Sequence, residues 1–235
     1  MRDGNLTITL AIFTDFDETI TRVNVTDTVL EKFADPLWRA IQDAWLAGKL
    51  SAREVLQQQM PLITVEPEEL NTFIDSIEVD PFFAEFAHFC RQEGHALYVL
   101  SDGFDYWIRR ILRRALPESD GGWPFLVFAC GLTLQSPRVE ISFPYFPDGC
   151  SHGCATCKPA LFFQLSRKAE NAVVIGDGSS DFLLSRGADL VLAKGSLRRF
   201  CRSEHIPYES FDHFGDVLEK IRRFKGQQQE AKLND

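Results

Sequence analysis

Ile8-Thr-Leu-Ala-Ile-Phe-Thr14-Asp15-Phe16-Asp17-Glu18-Thr19 decides the fold. An apolar, β-branched run meets two carboxylates one residue apart, and helix-type sequence follows. A short apolar run ended abruptly by charge reads as a buried parallel strand with acids at its carboxyl end. In an open α/β sheet that end is where ligands bind. A turn there aims Asp15 and Asp17 into one cleft, where they repel unless a hard cation such as Mg2+ lies between them. Taken alone, the same residues also suit an Asp-rich turn or a helix cap.

The pattern recurs downstream. Ala96 to Leu100 reads as a second strand, ending in Ser101-Asp102-Gly103. Ser101 is either an ordinary N-cap or a donor to a phosphate oxygen beside helix amides. Ala172 to Ile175 reads as a third strand, ending in Gly176-Asp177-Gly178-Ser179-Ser180-Asp181. Its glycines allow a tight loop, and its two acids complete an oxygen set for a hard cation with Asp15 and Asp17. Asp189 to Ala193 is a further strand, and 125–143 reads as a strand pair turning near Ser136-Pro137. Lys158-Pro159 opens a helix; a lysine there is unfavourable unless an anion such as phosphate is present, although a solvated lysine is the plainer reading.

Strands alternating with helices predict an α/β fold with a doubly wound, mostly parallel sheet. The stretch 22–78 breaks the alternation with short helices only: a cap at Asn24 or Thr26, a Trp38, Ile41, Trp45 stripe, Gly48 as a stop, a Ser51/Glu54 capping box and Pro67 at a helix start. This predicts a core at 1–21 and 79–225, a small inserted helical cap at 22–78, and a disordered polar tail at 226–235. The aromatic stripe reads as core. Glu18, Arg22 and Asn24 are the residues of this region placed nearest the site.

The chain has 235 residues, net charge −9 and a pI near 5.1. With no long basic stretch, nucleic acid is not expected as a partner. No long apolar run or leader pattern predicts a membrane span or export, so the cytoplasm is the expected compartment. Its six cysteines then read as thiols or metal ligands. Cys150, His152, Cys154 and Cys157 fit a Zn2+ site or a reduced, packed loop. The preceding Phe143-Pro-Tyr-Phe-Pro-Asp-Gly149 either lines a pocket or is a surface connection. Oligomeric state is not legible.

In this order the motifs resemble the haloacid dehalogenase (HAD) superfamily of phosphatases: Asp15-Phe-Asp17-Glu-Thr19, then Ser101, then Lys158, then Gly176-Asp177-Gly-Ser-Ser-Asp181. The helical insert resembles the phosphoserine-phosphatase-like subgroup. Ser101-Asp-Gly-Phe-Asp105-Tyr-Trp and the cysteine-rich run into Lys158-Pro159 look most like the methionine-salvage phosphatases acting on 2-hydroxy-3-keto-5-methylthiopentenyl-1-phosphate. The phosphocholine/phosphoethanolamine phosphatases share several of the same motifs. Ser180 and Asp102 depart from the usual Asn and Gly. The resemblance implies a Mg2+-dependent phosphomonoesterase for a small phosphorylated metabolite. In that scheme Asp15 is the nucleophile and Asp17 the acid and base. Asp15, the Asp17 carbonyl, Asp177 and Asp181 serve the metal. Ser101, Lys158 and the stretch around Phe16, Glu18, Thr19 and Asp102 surround phosphate and substrate. Phosphoserine or phosphocholine are alternative substrates. A zinc-binding scaffold on a silent version of the fold is the alternative of another class, and the intact acid set argues against it.

Overall fold

The computed structural model describes residues 10–116, 122–136, 138–150 and 153–234. The opening run forms β1 (Leu10–Thr14), with every residue buried. Around it lie β2 (Ala96–Phe104), β3 (Leu126–Gln135), β4 (Arg138–Ser142), β5 (Asn171–Gly176), β6 (Leu190–Ala193) and β7 (Glu209–Ser210). They make one sheet in the order β4-β3-β2-β1-β5-β6-β7, parallel throughout except for the β3–β4 pair. The expected doubly wound sheet is present. The order reverses beside β1: β2 lies on one side and β5 on the other, so the carboxyl ends of β1 and β5 share a crevice.

β2 is longer than expected and carries Ser101, Asp102 and Gly103 inside the strand, with an irregularity in its pairing to β3 between Leu100 and Phe104. β7 has two residues and no periodicity by which a sequence could reveal it. Pro137 lies outside the described residues.

Helices cover both faces. Those of the sheet region are α5 (Phe83–Gln92), α6 (Asp105–Ala115), α7 (Lys158–Ser166), α8 (Phe182–Ser185), α9 (Gly195–Ser203) and α10 (Phe214–Asn234). The expected disordered tail at 226–235 is instead helical through Asn234, as the end of α10. Gln, Glu, Ala and Lys are strong helix formers, and Lys232 pairs with Glu170 at 2.6 Å.

Between β1 and α5 come α1 (Val25–Phe33), α2 (Trp38–Leu46), α3 (Ala52–Gln59), a 3-10 turn (Met60–Leu62) and α4 (Pro67–Ile74). Asn24 caps α1 by accepting from the Asp27 amide, and the Ser51/Glu54 capping box opens α3. An antiparallel bridge joins Thr21 to Val79, bringing the entry and exit of this helical stretch together. It docks on the sheet region through Arg110–Asp75 at 2.6 Å, Tyr106 to Asn71 at 2.7 Å and the Ala52 amide to the Gly153 carbonyl at 2.9 Å.

Candidate active site

The strand ends place the acids. Asp15 follows β1 and Asp177 follows β5; the Asp15 amide donates to the Ile175 carbonyl at 2.9 Å, which locks the two ends together. Asp181 stands at the end of a short 3-10 turn, Ser179–Asp181. Carboxylate oxygens of Asp15, Asp177 and Asp181 lie within 4.8 Å of one another. Thr19 Oγ1 donates to Asp177 Oδ1 at 3.0 Å, so the first motif orients an acid of the last.

Lys158 enters from the first turn of α7 and is 1% exposed. Its Nζ is 3.0 Å from Asp15 Oδ1, 2.9 Å from Asp181 Oδ1 and 2.8 Å from Ser180 Oγ. Burial alone would push this amine down; Asp15, Asp181 and Asp102 outweigh it and keep the ammonium charged. Ser180 thus occupies the Asn position as a partner of the buried lysine. The Phe16 amide donates to Asp15 Oδ1 at 2.7 Å.

Asp17 is held by the insert. Its Oδ1 accepts from the Val25 amide, the first of α1, at 2.7 Å, and Ser101 Oγ lies 3.4 Å from its Oδ2. Loss of solvation and the Asp15 charge push Asp17 up to about 7, against the Val25 bond. Asp177 rises to about 6, through burial and then Asp15. Ser101 Oγ accepts from the Gly103 amide at 2.9 Å, so this hydroxyl is oriented from within its own strand. Glu18 adopts φ 54°, a left-handed conformation costly for a residue with a side chain, at the point where the chain turns away from the site.

A cleft of about 620 Å3 opens over these groups. Asp15, Asp17, Glu18, Asn24, Asp102, Lys158 and Asp177 line it; exposed Arg22 does not. Asp102 lines it, yet its Oδ1 accepts from the Thr156 amide at 2.7 Å. That bond ties the strand to the loop before Lys158. Phe143 to Gly149 does not line the cleft: Tyr145 packs against Phe128, and Phe143 and Phe146 face the Arg53 guanidinium of α3. Cys150, Cys154 and Cys157 are gathered, while His152 lies outside the described residues.

The sequence reading missed the roof. Gln42, Trp45, Leu50, Val55, Leu56 and Gln59 line the cleft from the helical stretch. Trp45 of the expected core stripe faces this space, whereas Trp38 is buried. Gln59, 1% exposed, donates to the Trp38 carbonyl and to Gln42 Oε1 at 2.9 Å, contacts that no local sequence signal reveals.

No family model matches the chain. It is 31% identical over 219 residues to the 2-hydroxy-3-keto-5-methylthiopentenyl-1-phosphate phosphatase of Geobacillus thermodenitrificans, across 92% of this chain and 97% of the relative. The chain belongs to the family of these HAD-superfamily phosphatases. The enzyme of the same name from Geobacillus kaustophilus is 30% identical over 223 residues, across 94% of this chain and 99% of the relative. Among solved structures, a phosphoserine phosphatase held as a phospho-aspartyl intermediate analogue superposes with a TM-score of 0.65 at 19% identity, over 91% of this chain and 99% of that one. This HAD-family hydrolase therefore shares the phosphoserine phosphatase fold.

The acid set of this HAD phosphatase also fits a hard divalent cation. Asp181 Oδ2 is buried with no hydrogen-bond partner, and the three clustered carboxylates supply oxygen donors only. Among the described residues, no helix is long and apolar enough to cross a membrane.

Proposed function

We propose that the chain is a Mg2+-dependent phosphomonoesterase whose substrate is 2-hydroxy-3-keto-5-methylthiopentenyl-1-phosphate, the molecule named for its curated relatives. The observation that carries this reading is the 3.0 Å approach of Lys158 Nζ to Asp15 Oδ1 at the floor of a cleft roofed by apolar side chains. A nucleophilic carboxylate beside a fixed cation suits phosphoryl transfer, where positioning and charge neutralisation do most of the catalysis.

Asp15 attacks phosphorus and carries the phosphoryl group as an aspartyl-phosphate. Asp17, held by the first amide of α1, gives its proton to the leaving oxygen and later takes one from the water that releases phosphate. Its raised pKa favours the protonated form that the first step needs. Lys158 and Ser101 hold phosphoryl oxygens, with the Phe16 and Gly103 amides beside them. Asp15, Asp177, Asp181 and the Asp17 carbonyl would hold Mg2+, which when bound would supply positive charge to the phosphoryl oxygens. Residues 22–78 act as the cap that excludes water.

Lys158 is the sole cation among the described residues lining the cleft. Among the described lining residues no arginine or second lysine faces a substrate carboxylate, which disfavours phosphoserine. Trp45, Leu50, Val55 and Leu56 suit an uncharged methylthio end. One observation favours a second reading: Glu18 and Asp27 also line the cleft, and acids near an aromatic ring suit the quaternary ammonium of phosphocholine or the ammonium of phosphoethanolamine. A panel of phosphometabolites compared by kcat/KM decides between them. The methylthio ketone phosphate should lead; a higher value for phosphocholine would reverse the assignment.

A further inference from the structure

Besides the carboxylates, one other set of ligand-type side chains is gathered among the described residues. The sulfurs of Cys150, Cys154 and Cys157 lie within 4.8 Å of one another. Cys150 Sγ is 3.7 Å from Cys154 Sγ and 3.5 Å from Cys157 Sγ. A disulfide is about 2.05 Å long, so these thiols are not joined. Four sulfurs around a tetrahedral zinc, each about 2.3 Å from the metal, are separated by roughly 3.8 Å. The observed separations approach that edge length before any ion draws the sulfurs into position.

Cys157 is the N-cap residue of α7. A helix N-terminus favours negative charge. Sulfur donors select Zn2+, whereas the Asp15, Asp177 and Asp181 oxygens select Mg2+. The two sites therefore sort their metals by donor chemistry.

The loop that carries the thiols has no regular element between β4 and α7 among the described residues. It is tied at three points. The Thr156 amide bonds to Asp102, the Cys157 amide to the Tyr145 carbonyl at 3.0 Å, and the Gly153 carbonyl accepts from Ala52 of α3. The next residue is Lys158. Closing such a loop costs chain entropy, and a metal clip offsets it.

We propose that Cys150, Cys154 and Cys157 bind a structural Zn2+ that staples this loop and so fixes the start of α7, from which Lys158 reaches Asp15. The ion's fourth ligand comes from outside these three thiols. The cysteines are positioning residues, and zinc takes no part in bond making. The metal assignment stands independently of the phosphatase reading.

The test uses the full chain, purified without chelator and with Mg2+ always in excess. Stoichiometric zinc is expected by elemental analysis. Replacement by Co2+ should give the strong thiolate-to-cobalt absorption and intense tetrahedral bands of a sulfur-rich site. Cys154→Ser should lose the metal, and Cys201→Ala, distant from the loop, should keep it. If Cys154→Ser does not fold, the wild-type cobalt spectrum and zinc protection of the three thiols from alkylation decide the matter. Removing zinc should lower kcat/KM for an aryl phosphate, with recovery on adding Zn2+ and none on adding more Mg2+. Absence of both zinc and the cobalt absorption would overturn the site, as would a Cys150–Cys157 disulfide in freshly isolated protein. Unchanged kcat/KM after zinc removal would overturn the link to Lys158. Retained zinc without any phosphatase activity would uphold the metal site and sink the functional reading alone.

Discussion

A Cβ on Gly176 would lie 2.2 Å from Oδ2 of Asp181. The glycine makes room for the buried carboxylate, which Lys158 also holds from its other oxygen at 2.9 Å. Gly176→Ala should therefore move Asp181 and weaken the cation site. Displacing a supporting group of this kind costs roughly 10–100-fold in metal affinity. The Mg2+ concentration giving half-maximal hydrolysis of an aryl phosphate should rise by that order. An unchanged value would mean that Asp181 shifts without serving the metal.

Asp15→Asn should abolish turnover while leaving the fold intact, as read by circular dichroism. Lys158→Ala should lower kcat/KM by about 10²–10³-fold, the typical loss on removing one preorganised donor from a charged transition state. Near wild-type turnover in Asp15→Asn would exclude it as nucleophile.

Trp45 tests the roof. Trp45→Ala should lower kcat/KM for the methylthio ketone phosphate about 10–200-fold, the range set by one small apolar group in a pocket. A phosphate ester with a short polar tail should be much less affected. Equal losses on both would assign Trp45 to folding of the insert.

His95 gives a pH signature in stability. It is 5% exposed. Burial and, next, Lys225 lower its pKa from 6.5 to about 4, against a smaller pull from Glu93. The unfolded chain then binds the proton first as pH falls. The stability from a neutral His95 is fully present above pH 6.5 and is lost progressively toward pH 4. Chemical denaturation across that window should show a shallower acid loss for His95→Phe than for the wild type. Parallel curves would mean that His95 does not titrate differently on folding.

Much of this was legible in the chain. Apolar runs ending in Asp15 and Asp177 marked strand ends, because burial of a central strand demands continuous apolar side chains and its carboxyl end does not, whereas β2 runs on past Ser101 to Phe104. Asn24, Gly48, Ser51 and Pro67 marked helix boundaries through bonds made within a few residues. Trp45 was misread as core, because periodicity identifies an apolar face and says nothing of what that face meets. Nothing local shows that the Thr156 amide meets the Asp102 carboxylate, because the two lie in separate elements. Polarity alone suggests a disordered tail, yet its helix propensity and the Lys232–Glu170 pair extend α10.

The sequence by itself determined the order of elements, the chemistry at each strand end and the family, since each rests on local backbone preferences and side-chain types. Tertiary structure alone decided that Lys158 meets Asp15 and Asp181, that α1 grips Asp17, and that three thiols gather before α7. Lys158 and Asp15 are far apart in the chain, and the Asp17–Val25 bond and the thiol cluster span loops without regular local structure, so only packing of the whole sheet and its insert sets these distances.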